Sequence, residues 1–325
     1  FSTIDLESII SGGLFFRKER PLGLSGLSGA ASALALRTSL SMLPLLEQFF
    51  EALETEGAVY CHWKSNAFAA LAAQGEDDLD LLIGQESQSV VLEILHRFGF
   101  KEALPAKGRD WIPGILHFYG YDENSGKLVH VHVHHKLVLG NDLTKSYHLP
   151  FENIYLKSSR QGNFFRIPAP EFEFAVFVIR MSLKYLSWDF ILGGRARPSA
   201  RETQELKYLG SRVSGDQLSD VLTKHFPWLS HEIFNTCLKV LQPGCPPWIR
   251  FRAGRRLHEA LRGCARFSRG IDFGLQFWRR LVIAVKRRFL RQVPRRIVKN
   301  GGVLVAVIGG DGAGKTTVIQ GLCEW

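Results

Sequence analysis

Two stretches of the chain carry residue types whose spacing suits phosphate chemistry. Near the far end, Gly309-Gly310-Asp311-Gly312-Ala313-Gly314-Lys315-Thr316-Thr317 fits G-x-x-x-x-G-K-[ST] at every fixed position. Glycines let the backbone curl so that successive N–H groups point inward at phosphate oxygens, and a helix N-terminus behind them adds partial positive charge. Lys315 is spaced to reach the β- and γ-phosphates of ATP, and the Thr316 hydroxyl to ligate Mg2+. Earlier, Asp77-Asp78-Leu79-Asp80-Leu81-Leu82-Ile83 sets alternate acids at the mouth of an apolar strand. On a strand Asp78 and Asp80 share a face, about 6.5–7 Å apart along the chain. Two carboxylates so placed can hold one or two Mg2+ ions for nucleotidyl transfer. The plainer reading is a strand edge with acidic turn residues.

The elements that must position these groups follow from periodicity. A helix capped by Ser39 or Ser41 is predicted to run to about residue 56, with Leu43, Leu46, Phe49, Phe50 and Leu53 on one face and Gly57 as its end. Strands are expected at 58–63 and 79–83, a short Ala-rich helix at 66–73 and an amphipathic helix at 88–98. Residues 118–121 and 128–137 read as an antiparallel pair joined by the turn 122–126. Beyond Pro150 the pattern is helical, at 171–188, 201–213, 217–225 and 230–241, before the break Pro243-Gly244-Cys245-Pro246-Pro247. The apolar run 301–308 reads as a buried parallel strand, and 317–325 as the start of a helix. That strand-loop-helix context separates the glycine loop from a chance turn. The expected organisation is a poorly ordered arm (1–39), an α+β domain (40–160), a helical extension (161–249), a basic connector (250–300), and the opening strand, loop and helix of an α/β domain (301–325).

Charge narrows the function classes. The 325 residues carry a formal +10, which by itself suggests nucleic acid or an anionic membrane. The charge is unevenly placed: the net is −3 over 1–249, +14 over 250–300 and −1 over 301–325. The excess therefore describes one segment, and no nucleic-acid-binding module accompanies it. Within it Phe277, Leu281, Ala284, Val285 and Phe289 form an apolar stripe beside Arg279, Arg280, Lys286 and Arg287. Such a helix packs on its own protein, lies on an anionic membrane surface, or clamps a phosphate. Cys61, Cys237, Cys245, Cys264 and Cys323 show no metal or redox spacing, and their odd number argues against a disulfide framework. A cytoplasmic protein is expected, in peripheral contact with a membrane if the basic helix engages lipid.

On the strand after the acidic turn, His130, His132 and His134 share one face and valines fill the other. Their spacing suits a transition-metal site. The plainer reading is a polar, half-exposed sheet face.

The glycine loop resembles the P-loop of thymidylate kinases and related nucleoside-monophosphate kinases, in which the run D-G-A-G-K-[ST]-T is typical. The resemblance covers about the last 25 residues. It implies ATP and Mg2+ as cofactors, Gly309, Gly312, Gly314, Lys315, Thr316 and Thr317 as the phosphate cradle, and Asp311 as a positioner of the phosphoryl acceptor. Family members often carry Glu where Ile308 stands. A whole domain of this kind needs roughly 150–200 residues, so 301–325 is expected to be its truncated opening and inactive alone as a kinase. The chain starts at Phe1, so further residues are expected upstream.

The region 57–140 resembles nucleotidyltransferases of polymerase-β type, and within them an uncharacterised bacterial branch with L-K-G after one strand and [GS]-D-[IVL]-D-L-L-V on the next. The resemblance implies that Lys64 and Ser65 contact nucleotide and that Asp78 and Asp80 bind metal and act in catalysis. Ser65-Asn66 stand where that branch carries glycine. Its third metal-binding acid corresponds to His132. Imidazole is a poor Mg2+ ligand and a good one for Zn2+ or Mn2+. Three readings stay open: a site that only binds nucleotide, a site using another metal, or a different register with the acid supplied by Asp122 or Glu123. The resulting expectation is a nucleotide-dependent transferase, a P-loop kinase fused to a nucleotidyltransferase-like domain. The alternatives are a degenerate nucleotide- or glycan-intermediate-binding module that regulates the kinase, and a peripheral membrane protein anchored by the basic connector.

Overall fold

Alternation along two neighbouring strands decides which face of the sheet is dry. In the computed structural model, which describes residues 41–105, 112–186, 198–242, 244–288, 296–299, 307, 310 and 312–324, β2 (Leu79–Ile83) and β5 (Lys127–His134) run side by side in parallel. Leu79, Leu81 and Ile83 join Val129, Val131 and Val133 in one core, while Asp80, His130, His132 and His134 take the opposite face. The expected arm 1–39, Gly309, Asp311, residues 293–294 and most of the apolar strand 301–308 lie outside the described residues.

The fold is mixed α+β. Its main sheet has the order β1-β2-β5-β4-β3-β10, with β1 (Tyr60–His62), β3 (Lys101–Pro105), β4 (Ile115–Asp122) and the edge strand β10 (Arg296–Val298). Every pairing is antiparallel except β2 with β5. Two amphipathic helices, α1 (Pro44–Thr55) and α3 (Gln88–Arg97), supply Leu46, Phe49, Leu53, Ile94 and Leu95 to the dry face. Between them α2 (Ala69–Ala73) follows one 3-10 turn at Asn66–Phe68.

Three local expectations need correction. The cap of α1 is Leu43, without a side-chain hydrogen bond, because Pro44 at the first helical position already fixes the entry backbone. The β4–β5 hairpin is longer at its β4 end than expected, and β5 stops at His134, where the chain bends. Leu137–Leu139 forms a separate strand, β6, paired with β7 (Tyr147–Leu149). Asp122 closes the hairpin turn by accepting from Ser125 N at 2.9 Å and Ser125 Oγ at 2.6 Å, and it accepts from Leu45 N at 3.0 Å. It is thus a turn residue at the far end of the hairpin.

Helices cover part of the second face. After α4 (Glu152–Lys157) and the short pair β8 (Arg160–Gln161) and β9 (Arg166–Ile167), α5 (Pro170–Tyr185) is apolar on nearly every side. A helix apolar all round belongs at a centre. Around it pack α6 (Ala200–Gly210), α7 (Gly215–His225) and α8 (His231–Val240), in one core with Cys61, Trp63 and Leu82 of the sheet domain. The N-terminus of α6 carries a reciprocal cap between Ser199 and Glu202, and Glu202 also binds Lys184 Nζ at 2.8 Å. Ser199→Ala is expected to lower stability by about 1 kcal/mol, read from a urea midpoint shift at constant slope.

The basic segment begins as part of this helical core. In α9 (Pro247–Ala260) and the turn after it, Leu257, Leu261 and Cys264 are buried with the helical extension, and Ala253 packs with Leu186 and Val240. A Cβ at Gly254 would sit 3.0 Å from the Leu186 carbonyl oxygen, so the two backbones touch. Counting charge hid this stripe, because the arginines between these residues point outward. α10 (Arg269–Arg288) continues the basic segment beyond this core. Its apolar stripe is exposed, with Phe277, Leu281 and Val285 at 63, 44 and 41% and Phe289 outside the described residues, and Phe273 and Trp278 beside it are exposed too. Ser146 Oγ donates to Asp272 Oδ1 at 2.7 Å and Arg279 reaches the Leu143 carbonyl, which ties α10 to the loop before β7. No described helix is long and apolar enough to cross a membrane.

Candidate functional site: a carboxylate–histidine cluster and a phosphate loop

The register of β2 against β5 sets Asp80 beside His132. His132 thus stands directly beside Asp80 on the neighbouring strand, and Asp122, five ladder steps away at the turn, does not enter the cluster. Asp80 is 5% exposed. Its Oδ1 accepts from Lys64 Nζ at 2.9 Å, His132 Nδ1 at 3.0 Å and His134 Nε2 at 3.4 Å. Burial alone would raise its pKa. The Lys64 ammonium and the two imidazole donors outweigh burial and hold it well below the usual carboxylate range. Asp78, half-exposed, accepts from His130 Nδ1 at 2.9 Å, a bond that lowers its pKa. Burial lowers the pKa of Lys64, against the pull of Asp80.

The histidine face is wider than β5. His117 on β4 pairs across the hairpin with His132, and its Nδ1 lies 3.3 Å from His130 Nε2. Tyr119 stacks on His130, centroids 4.3 Å apart at 5°. At the other end His134 is buried against Trp63, and burial pushes its pKa down to about 4. Among the described residues, two groups bring ligand atoms within 4.8 Å of one another: His117, His130 and His132; and Asp80, His132 and His134. The second contains the carboxylate already engaged by Lys64. The donor set is dominated by imidazole nitrogen, so it does not fit Mg2+, which selects oxygen ligands.

The loop after β1 differs from the expected phosphate contact. Ser65 adopts the left-handed conformation, φ 62° and ψ 27°, which glycine takes freely and which costs a serine about 1 kcal/mol. The backbone shape suited to glycine is therefore kept with serine in place. The amide that follows it is already engaged by a carboxylate from the helical extension: Asn66 N donates to Glu173 Oε1 at 3.2 Å. The Ser65 backbone helps to lower the pKa of Glu205, against burial, which raises it. Glu205 also pairs with Arg180 Nη2 at 3.1 Å. Burial raises Glu173 to about 7, despite the bond from Asn66.

In the second stretch, α11 (Lys315–Glu324) opens at Lys315. Gly312 and Gly314 hold φ of +79° and +72°, a region closed to most side chains. Lys315 Nζ donates to the Gly310 carbonyl at 2.7 Å, so the ammonium curls over the loop. Thr316 and Thr317 are exposed on the first turn.

Sequence reasoning singled out Lys64, Asp78, Asp80 and His132, which meet in space. It missed His117, Glu173 and Glu205. His117 had a usable signal, since it alternates with Leu116 and Phe118 on a strand facing the histidines. The glutamates had none, because they lie more than a hundred residues along the chain from Ser65 and Asn66. The chain matches no protein-family model and no curated protein.

Proposed function

We propose that this protein is a nucleotide-dependent transferase in which the loop at 309–317 takes the phosphates of ATP, as in the thymidylate-kinase-like kinases, and the α+β domain is nucleotidyltransferase-like. The observation that carries this reading is the pair of left-handed glycines, Gly312 and Gly314, directly before a helix that opens at Lys315. That backbone turns amides toward an anion at a helix N-terminus. Lys315 then exchanges the Gly310 carbonyl for a β/γ-phosphate oxygen, and the Thr316 hydroxyl meets the Mg2+ that travels with ATP. Asp311 positions the acceptor, a nucleoside monophosphate or a similar molecule. In the α+β domain, Lys64 and the Asp78/Asp80 pair lie at the mouth of the parallel pair β2–β5.

Titration calorimetry with Mg·ATP tests this. Lys315→Ala is expected to abolish the binding heat, and unchanged affinity in that variant removes the P-loop reading. Binding lost instead in Asp78→Asn/Asp80→Asn places the nucleotide in the α+β domain. If that occurs without turnover in the wild type, the domain is a binding module.

The exposed Phe273, Phe277 and Trp278 beside the α10 arginines favour a second role for that helix, on an anionic membrane surface. Salt-sensitive binding to phosphatidylserine vesicles is its expected signature, and equal binding to neutral vesicles excludes it.

A further inference from the structure

Three imidazoles converge on the wet side of the β4–β5 hairpin in a way the nucleotide reading does not use. One ring nitrogen from each of His117, His130 and His132 lies within 4.8 Å of the others. His117 Nδ1 and His130 Nε2 are 3.3 Å apart. Two nitrogens bound to one tetrahedral ion through bonds of about 2.0–2.1 Å stand about 3.3 Å apart. On His130 and His132 the other nitrogen is held by a carboxylate: Nδ1 of His130 by Asp78 at 2.9 Å, and Nδ1 of His132 by Asp80 at 3.0 Å. A carboxylate on one ring nitrogen fixes the tautomer, leaves the other nitrogen with its lone pair outward and raises its basicity. The nitrogen so left on His132, Nε2, is buried and neither accepts nor donates a hydrogen bond; its nearest ionic neighbour is Asp78 Oδ2 at 3.8 Å. Natural structures rarely leave such an atom unfilled.

The geometry points to a transition-metal site in which His117 Nδ1, His130 Nε2 and His132 Nε2 bind one Zn2+ ion, with Asp78 and Asp80 orienting the imidazoles from behind. Three neutral nitrogen donors suit Zn2+ and leave a fourth position for water or an anionic oxygen. The overlapping group of Asp80, His132 and His134 is the poorer site. Its carboxylate oxygen already accepts from Lys64 at 2.9 Å, and a dication there would face an ammonium. His130 and His132 keep 18 and 16% of their side-chain surface, enough for an ion to enter from solvent. In this arrangement the paired aspartates act through histidine instead of touching metal, the reverse of what their spacing suggested. The site stands whether or not the glycine loop binds ATP.

The test is Zn2+ titration of the untagged, metal-stripped protein against a competing chelator, with Co2+ as a spectroscopic substitute. One ion per chain and the intense visible bands of tetrahedral Co2+ are expected. His117→Ala is expected to abolish both, and His134→Ala to leave both. Asp78→Asn, at a half-exposed residue, is expected to weaken Zn2+ by about 10–100-fold. Circular dichroism of the metal-free variants checks folding, and if His117→Ala does not fold, Asp78→Asn carries the test. No stoichiometric Zn2+ in the wild type, wild-type affinity in folded His117→Ala or in Asp78→Asn, or loss of binding in folded His134→Ala would overturn the site.

Discussion

Asp80→Ala is expected to destabilise the protein by about 3–5 kcal/mol, the range for removing one partner of a buried, hydrogen-bonded ion pair. The carboxylate is the common acceptor for Lys64, His132 and His134. Its removal strands two imidazole donors and a partly buried ammonium on the floor of the wet face. Lys64, at 24% side-chain exposure, recovers some hydration, which favours the lower end of the range. Asp78→Ala is the control. Its side chain is 48% exposed, so its loss is expected to cost at most about 1 kcal/mol. Urea denaturation measures both, and equal midpoint shifts would show that Asp80 is not the hub. Because the Asp80 pKa is depressed in the folded state, its contribution is present above the unfolded value near 3.8 and is lost as pH falls below it.

Glu173→Gln is expected to act in the opposite direction, and only at higher pH. Burial raises Glu173 from 4.5 to about 7, so between these values the folded chain holds a proton that the unfolded chain releases. Stability from this residue is therefore full below pH 4.5 and falls as pH rises toward 7. The difference in pKa corresponds to about 3 kcal/mol, lost by the time the carboxylate is charged in both states. Glutamine keeps the oxygen that accepts from Asn66 N and carries no charge. The variant is expected to match the wild type at pH 4.5 and to exceed it by about 3 kcal/mol at pH 8. A stability difference that does not vary with pH would show that Glu173 is not the titrating group.

Much of the sheet was legible because each strand obeys a period of two. The pattern Leu79-Asp80-Leu81 and the valine–histidine alternation of β5 state which side is dry, and the structure follows them. Helices α1 and α3 were equally plain from their apolar faces. What was not legible shares one cause, which is that local pattern carries no record of distant partners. The basic stretch looked like a linker because Leu257 and Leu261 are sparse among arginines, yet both are buried in the core of the helical extension. The spacing of Asp78 and Asp80 pointed to a metal without showing what stands beside the two carboxylates. Only the pairing of β2 with β5 reveals that imidazoles already stand in front of them. The engagement of the Asn66 amide by Glu173 is of the same kind.

The chain separation within the cluster bears on the order in which it assembles. His117 and His130 are 13 residues apart and meet when one hairpin zips, whereas Asp80 and His132 are 52 apart and meet only when β2 docks in parallel beside it. Closing the shorter loop costs less entropy, and hairpins form within about 1–10 μs. The histidine triad is thus expected to form within a local folding unit, with its carboxylates joining when β2 docks. A cation captured by the nascent hairpin would favour the turn at Asp122 early and be tightened later, when β2 supplies Asp78 and Asp80.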